Sequence, residues 1–262
     1  NMTFHHSYAP GRIFPKDDYK YGRENLFSPE FVLSYQPDGK SVQSRPIAVV
    51  EDKIVSDRQL GIGAEQVKDY ATLLGAKFAY VSNGKSVVEY NIVTGKETKP
   101  YPTEFPTPEE LWEKCQTNSP IPEKSYPIIF QPYNRILKNS DLTIKVPRYY
   151  QAAAINAATD AIAKGEKRIL ITMATGTGKT FVASQIAWKL WKPAKTKPRI
   201  LYLVDRVFLL DQARDDYFAK IFGKAVSSIK DKITGDVVKS RDIYFSLYQG
   251  INDRKDVVGL YK

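Results

Sequence analysis

The chain has 262 residues, 42% hydrophobic and 12% aromatic, enough to bury one large core or two modest ones, and its length favours two. No apolar run approaches the roughly 20 residues a bilayer span needs. The opening NMTFHHSYAP lacks the basic flank and apolar stretch of a secretory signal, so a soluble, cytoplasmic protein with no membrane partner is expected. The single Cys115 excludes an internal disulfide, and 39 Lys+Arg against 29 Asp+Glu give a net charge of +10, which points to a polyanionic partner or a solvated basic surface.

Residues 31–36 (FVLSYQ) and 46–50 (PIAVV) read as strands, with Asp38-Gly39 among the turn signals between them. AEQVKDYATLL, residues 64–74, carries Val67, Tyr70, Ala71 and Leu74 at helical spacing and is stopped by Gly75. Strands FAYVS and SVVEYN follow, joined by an Asn83-Gly84 turn. Residues 1–95 are thus expected to form a module of mixed strands with at least one helix. Nine of the sixteen prolines fall between Pro100 and Pro147, so residues 96–146 read as a proline-rich linker. One helix is signalled within it, with Thr107 as N-cap, Pro108 at the first helical position and Glu110 closing a capping box.

From residue 147 strand and helix alternate. RYYQAAAINAATDAIAKG is a helix ended by Gly165, RILITMA a strand, 179–191 a helix and RILYLV a strand. VFLLDQARDDYFAKIFG is then a helix and DIYFSLY a strand. This pattern predicts a parallel sheet with crossover helices, and an α/β class for the whole chain.

Between the RILIT strand and the helix from 179 lies MATGTGKT, residues 173–180. A glycine-bearing turn that opens a helix can surround phosphates with backbone N–H groups. Thr175, Gly176, Thr177 and Gly178 supply that turn, Lys179 would neutralise β/γ-phosphate charge, and Thr180 would offer its hydroxyl to Mg²⁺. Met173 stands where the general phosphate-loop pattern has glycine. The stretch resembles the first motif of superfamily 2 helicases and translocases, often spelled A-T-G-T-G-K-T with no leading glycine. That resemblance implies ATP as ligand. It also makes RYYQ an adenine-reading motif, with Arg148 and Gln151 as cofactor-binding residues. LVDR (203–206) and YFSLYQ (244–249) resemble segments that face the nucleic-acid strand in those proteins. The sequence stops before an acidic D-E-x-H segment or a second RecA-like lobe, so poor or absent ATP hydrolysis is expected of this chain alone.

Upstream, AVVEDK ends a strand in Glu51-x-Lys53, and period-2 geometry puts acid and base on one side. Glu30 precedes the earlier strand, and Gln66 and Tyr70 sit four apart on the helix that follows. Carboxylates beside a lysine suit metal-assisted phosphodiester cleavage. The order resembles PD-(D/E)XK nucleases of the RecB-like group. With AVVEDK, EQVKDYA and SNG preceding the phosphate loop, it resembles the motor subunits of type I restriction enzymes over about residues 27–262. The resemblance implies a PD-(D/E)XK-like mixed sheet with flanking helices over 1–95, linked to a parallel-sheet RecA-like phosphate-loop lobe over 147–262. It also implies that Glu30, Glu51 and the carbonyl of Asp52 bind Mg²⁺, that Lys53 acts in catalysis, and that Gln66 and Tyr70 steady the site or contact DNA.

In that family the first acid is usually aspartate, and Asp38 or a residue near Asp17-Asp18 are the alternatives to Glu30. The partners implied are double-stranded DNA and separate methylation and specificity subunits, with ATP-fuelled translocation leading to cleavage. Two rivals stand beside this reading: a superfamily 2 remodelling ATPase with an inert nuclease-like module, and a non-enzymatic ATP-gated DNA-binding scaffold. His5 and His6 point apart as neighbours and are read as structural rather than as metal ligands.

Overall fold

The computed structural model describes residues 2–4, 13–16, 20–23, 28–37, 43–54, 56, 61, 63–98, 105–117, 120–228 and 241–249. His5, His6, Asp17, Asp18, Asp38 and Gly39 lie outside the described residues. Packing divides the chain into two units, 1–132 with 147–171, and 133–146 with 172–262. No described helix is long and apolar enough to cross a membrane.

The first unit is built on a six-stranded sheet in the order β1-β4-β5-β6-β7-β8. Its strands are β1 (Met2–Phe4), β4 (Phe31–Tyr35), β5 (Arg45–Asp52), β6 (Phe78–Ser82), β7 (Val87–Asn91) and β8 (Glu97–Thr98). A separate hairpin pairs β2 (Ile13–Lys16) with β3 (Lys20–Arg23). β5 and β6 run parallel, joined through helix α1 (Ala64–Leu74), while β4–β5 and β6–β7 are antiparallel, which makes the sheet mixed.

Alternation along β6 explains the layering. Ala79 and Val81 join Val67, Tyr70, Ala71 and Leu74 of α1 in one core. Phe78 and Tyr80 face the opposite core with Leu111, Trp112 and Cys115 of helix α2 (Pro108–Gln116) and with Ile129 of the short α3 (Tyr126–Ile129). The proline-rich stretch therefore covers one face of the sheet. Its expected capping box is present: Thr107 Oγ1 accepts from the Glu110 N–H at 3.2 Å, and Glu110 Oε2 accepts from the Thr107 N–H at 2.8 Å.

Helix α4 (Tyr149–Ala163) packs with this first unit, although the alternating pattern grouped it with the later strands and helices. The Arg45 guanidinium at the start of β5 holds it, donating to the Asn156 carbonyl at 3.3 Å and to Asp160 Oδ1 at 2.6 Å.

The second unit has a three-stranded parallel sheet in the order β10-β11-β9, from β9 (Ile200–Val204), β10 (Val226–Ser228) and β11 (Ile243–Leu247). Helix α5 (Lys179–Trp191) precedes β9. The helix expected over 207–223 is continuous in path but varied in winding: α6 (Val207–Asp211), a π-helical stretch Gln212–Phe218, then α7 (Ala219–Phe222). Phe181, Phe218, Phe222, Ile243 and Phe245 make its core. Residues 133–146 belong here through a reciprocal bond in which Gln185 accepts from the Asn134 N–H at 2.8 Å and donates to the Asn134 carbonyl at 3.1 Å.

One expected element is corrected. RILITMA is not a strand: residues 168–174 carry no ladder, and Leu170 is 91% exposed. A short apolar run becomes a strand of a parallel sheet when neighbours pair with both its edges and cover its faces. Among the described residues no strand pairs with this one.

Candidate functional sites

Strand β5 is the spine of the first site. Ala48 and Val49 are fully buried between the two cores, and the alternation that faces Val49 to α1 also turns Glu51 inward, 2% exposed. Glu51 is held from two sides: Oε1 accepts from the Glu30 N–H at 3.1 Å and Oε2 from Lys53 Nζ at 3.0 Å. Glu30, immediately before β4, returns the contact by accepting from the Asp52 N–H. The two carboxylates are therefore laced across adjacent strands, 21 residues apart in sequence.

Lys53 leaves the sheet at the end of β5, its own N–H bonded to the Ser82 carbonyl at 2.8 Å. Gly63, the residue before α1, has a φ of +95°, and a Cβ added there would lie 3.0 Å from Lys53 Cε. The lysine stem thus lies against the start of the helix that carries the next pair. On that helix Gln66 Nε2 donates to the Tyr70 hydroxyl at 2.8 Å, with Tyr70 buried in the core and Gln66 exposed. The structure therefore brings Glu30, Glu51, Asp52 and Lys53 to one end of the β4–β5 pair, with Gly63 of the α1 turn against Lys53. Sequence reasoning missed Gly63. Its signal was present in the Gly61-x-Gly63 spacing before a helix, where a left-handed turn favours glycine.

Among the described residues no three His, Cys, Asp or Glu side chains gather in a metal-binding group. The donors at this site are two carboxylates with the adjacent Asp52 carbonyl, all oxygen. That set fits Mg²⁺, a hard cation that commonly takes one or two carboxylates and keeps several waters.

The second site is the turn before α5. Gly176 and Gly178 have φ of +75° and +88°, conformations that side-chain-bearing residues rarely adopt, which explains glycine at both positions. Thr177 Oγ1 closes the turn on the Ala174 carbonyl at 2.6 Å. The Lys179 ammonium folds back on the carbonyls of Met173 and Ala174 at 3.3 and 3.0 Å. Met173 thus contributes its backbone to the loop. Thr180 lies in the first turn of α5 near Tyr202, whose phenol pKa is pushed up by burial, a rise the Thr180 side chain partly offsets.

At the carboxyl ends of β9 and β11, Val204 and Leu247 are register partners, so the exposed Asp205-Arg206 and Tyr248-Gln249 leave the sheet side by side. Arg148 and Gln151 open α4 in the first unit. There Gln151 is buried and its Oε1 accepts from the Arg148 N–H at 3.0 Å, a local role in starting the helix.

Residues 144–258 match the family described as type III restriction enzyme, res subunit. The type I restriction enzyme EcoAI endonuclease subunit of Escherichia coli is 36% identical over 234 residues, covering 87% of this chain and 27% of that protein. The type I restriction enzyme EcoKI endonuclease subunit of Escherichia coli strain K12 is 41% identical over 101 residues, 35% of this chain and 8% of that protein. A solved fragment described as an HsdR subunit of a type I restriction enzyme from Vibrio vulnificus YJ016 superposes with a TM-score of 0.71 at 37% identity. That likeness covers 99% of this chain and 43% of the other. The chain is homologous to type I restriction enzyme endonuclease subunits and spans less than half the length of each of these relatives.

Proposed function

We propose that the chain serves an ATP-dependent type I restriction endonuclease, its first unit cutting DNA phosphodiesters with Mg²⁺ and its second binding the ATP that powers movement of double-stranded DNA. The observation that carries this reading is the Glu30–Glu51–Lys53 cluster, laced across two strands, on the same chain as the MATGTGKT turn. The similarity to type I endonuclease subunits supports it. Methylation and specificity subunits are the partners this reading requires.

Glu30, Glu51 and the Asp52 carbonyl would hold Mg²⁺, which supplies positive charge to the scissile phosphate and lowers the pKa of a water. The chain's residues do the positioning. The Glu30 N–H fixes the Glu51 carboxylate, and Lys53, aimed by its contact with Glu51, carries positive charge to the side of the phosphate where negative charge develops. Gln66, braced by Tyr70, presents an exposed amide to the DNA backbone. In the second unit, the N–H groups opening α5 and Lys179 take the nucleotide phosphates, with Lys179 exchanging two loop carbonyls for phosphate oxygens. Arg148 and Gln151 are the proposed adenine-side residues.

Two substitutions in the assembled enzyme test the reading. Glu51→Ala abolishes Mg²⁺-dependent nicking while ATP binding persists; unchanged nicking would leave a remodelling ATPase with an inert nuclease-like module. Lys179→Ala abolishes tight ATP binding in a titration, and retained affinity would refute the phosphate-loop assignment.

A further inference from the structure

In a parallel sheet the ligand-handling loops gather at the carboxyl ends of the strands. Here those ends carry Asp205-Arg206 and Tyr248-Gln249, and the phosphate loop opens α5. The opposite edge has a distinct character. Lys224 and Arg241 each stand two residues before their strands, β10 and β11, which start in register, and Arg199 immediately precedes β9. Three adjacent strand starts thus each present a cation. The loop from α5 into β9, KPAKTKPR, adds Lys192, Lys195 and Lys197.

This loop is anchored. Lys197 lies over the Trp191 ring at 4.4 Å and donates to the Trp191 and Lys192 carbonyls at 2.9 and 3.2 Å. Lys192 sits over Trp188 at 5.5 Å. Arg241 donates to the Lys224 carbonyl, tying the two strand starts together. Lys195, Arg199 and Lys224 are exposed, and their charged side-chain groups make no hydrogen bond or ion pair among the described residues. Across residues 192–204, 219–228 and 241–249 the only acid is Asp242, and its carboxylate accepts from Trp191 Nε1 at 2.8 Å.

We propose that this amino-terminal edge of the β10-β11-β9 sheet is a second DNA contact, a basic rim that holds the phosphate backbone of a duplex without reading bases. The inference rests on the proposed DNA-handling function. Adjacent strands lie about 4.8 Å apart, so three strand starts span roughly 10 Å. Phosphates rise about 3.4 Å per nucleotide along one DNA strand, so such a row faces about three of them. A row of cations with a single acid among them complements a polyanion. The 13 residues of α5 extend about 20 Å, which separates the rim from the phosphate loop at the other end of that helix.

The test compares the assembled wild-type enzyme with its Lys195→Gln/Arg199→Gln/Lys224→Gln variant, and with Lys195→Glu as a charge-reversal check. Duplex affinity is measured across about 50 to 200 mM salt. Removing three phosphate contacts lowers the slope of log affinity against log salt by about 2.7, with ATP affinity and melting temperature unchanged, and Lys195→Glu weakens binding further than loss of one charge. A wild-type enzyme that binds duplex and a triple variant with the same slope would overturn the rim alone. Loss of subunit assembly with an unchanged slope would also overturn it, in favour of an acidic protein partner. Absence of salt-dependent duplex binding by the wild type would overturn both the rim and the function on which it rests.

Discussion

Replacing Asp160 with alanine tests why α4 belongs to the first unit. The Arg45 side chain is 7% exposed and Asp160 28%. The guanidinium also donates to the Ile129 and Asn156 carbonyls at 3.2 and 3.3 Å. In Asp160→Ala those two carbonyls remain, but the charge loses its counterion inside the protein. Breaking a fully buried pair costs about 3–5 kcal/mol. Because water reaches part of Asp160, a cost of about 2–3 kcal/mol is expected. For a unit of this size that lowers the melting temperature by about 5–10 °C.

Trp112 packs in the first unit against Tyr35 at 4.7 Å, whereas Trp188 and Trp191 lie in the second, so a Trp188→Phe/Trp191→Phe background lets indole fluorescence report the first unit during urea unfolding. Arg45→Met/Asp160→Leu, which removes both charges together, recovers most of the loss. A single-variant cost below about 0.5 kcal/mol, or a double variant no better than the single, would refute the assignment of α4's anchorage to this pair.

Gly63→Ala forces a side chain into a φ of +95° and 3.0 Å from Lys53 Cε; about 1–2 kcal/mol of stability is lost in urea titration, while Gly61→Ala, with nothing within 4 Å, stays within about 0.5 kcal/mol. Burial pushes the Cys115 thiol up to about 11, so iodoacetamide labelling of the native protein at pH 8 runs about 100-fold slower than that of the unfolded chain, read by intact mass; equal rates would contradict the packing. Thr107→Ala removes the α2 cap and lowers the melting temperature by about 2–4 °C. Hydrogen bonds from Thr107 hold the Glu110 carboxyl below its usual range. The Glu110 contribution is therefore present above the unfolded carboxylate pKa and lost as pH falls through the depressed folded value. The variant shows a correspondingly smaller acid-side loss in a pH series of melts.

How far the fold could be read depended on whether the signal was local. Thr107, Pro108 and Glu110 fall within one turn, so the α2 cap was legible, as was α1 between its periodic apolar residues and Gly75. The RILIT run failed because three successive apolar residues, Ile169 to Ile171, have no conformation of their own; a ladder partner decides, and among the described residues none pairs with them. For α4, Ile155, Ala158 and Ala163 announce a buried face but not the surface that buries it. That surface was specified by Arg45, 115 residues from Asp160.

The same distinction runs through the candidate nuclease site. Glu51-x-Lys53 was legible because period-2 geometry puts both side chains on one side, and their ion pair follows from there being a single intervening residue. Glu30 could be placed before a strand, but neither the donation of its N–H to Glu51 nor the acceptance by its carboxylate of the Asp52 N–H is encoded by spacing. Both require β4 to lie antiparallel against β5 with Phe31 opposite Val50. That register puts Glu30 beside Glu51, and the side chain must then reach one residue further to Asp52. Glutamate has one more methylene than aspartate with which to do so, which gives a physical reason for this residue type at position 30 without appeal to any other carboxylate.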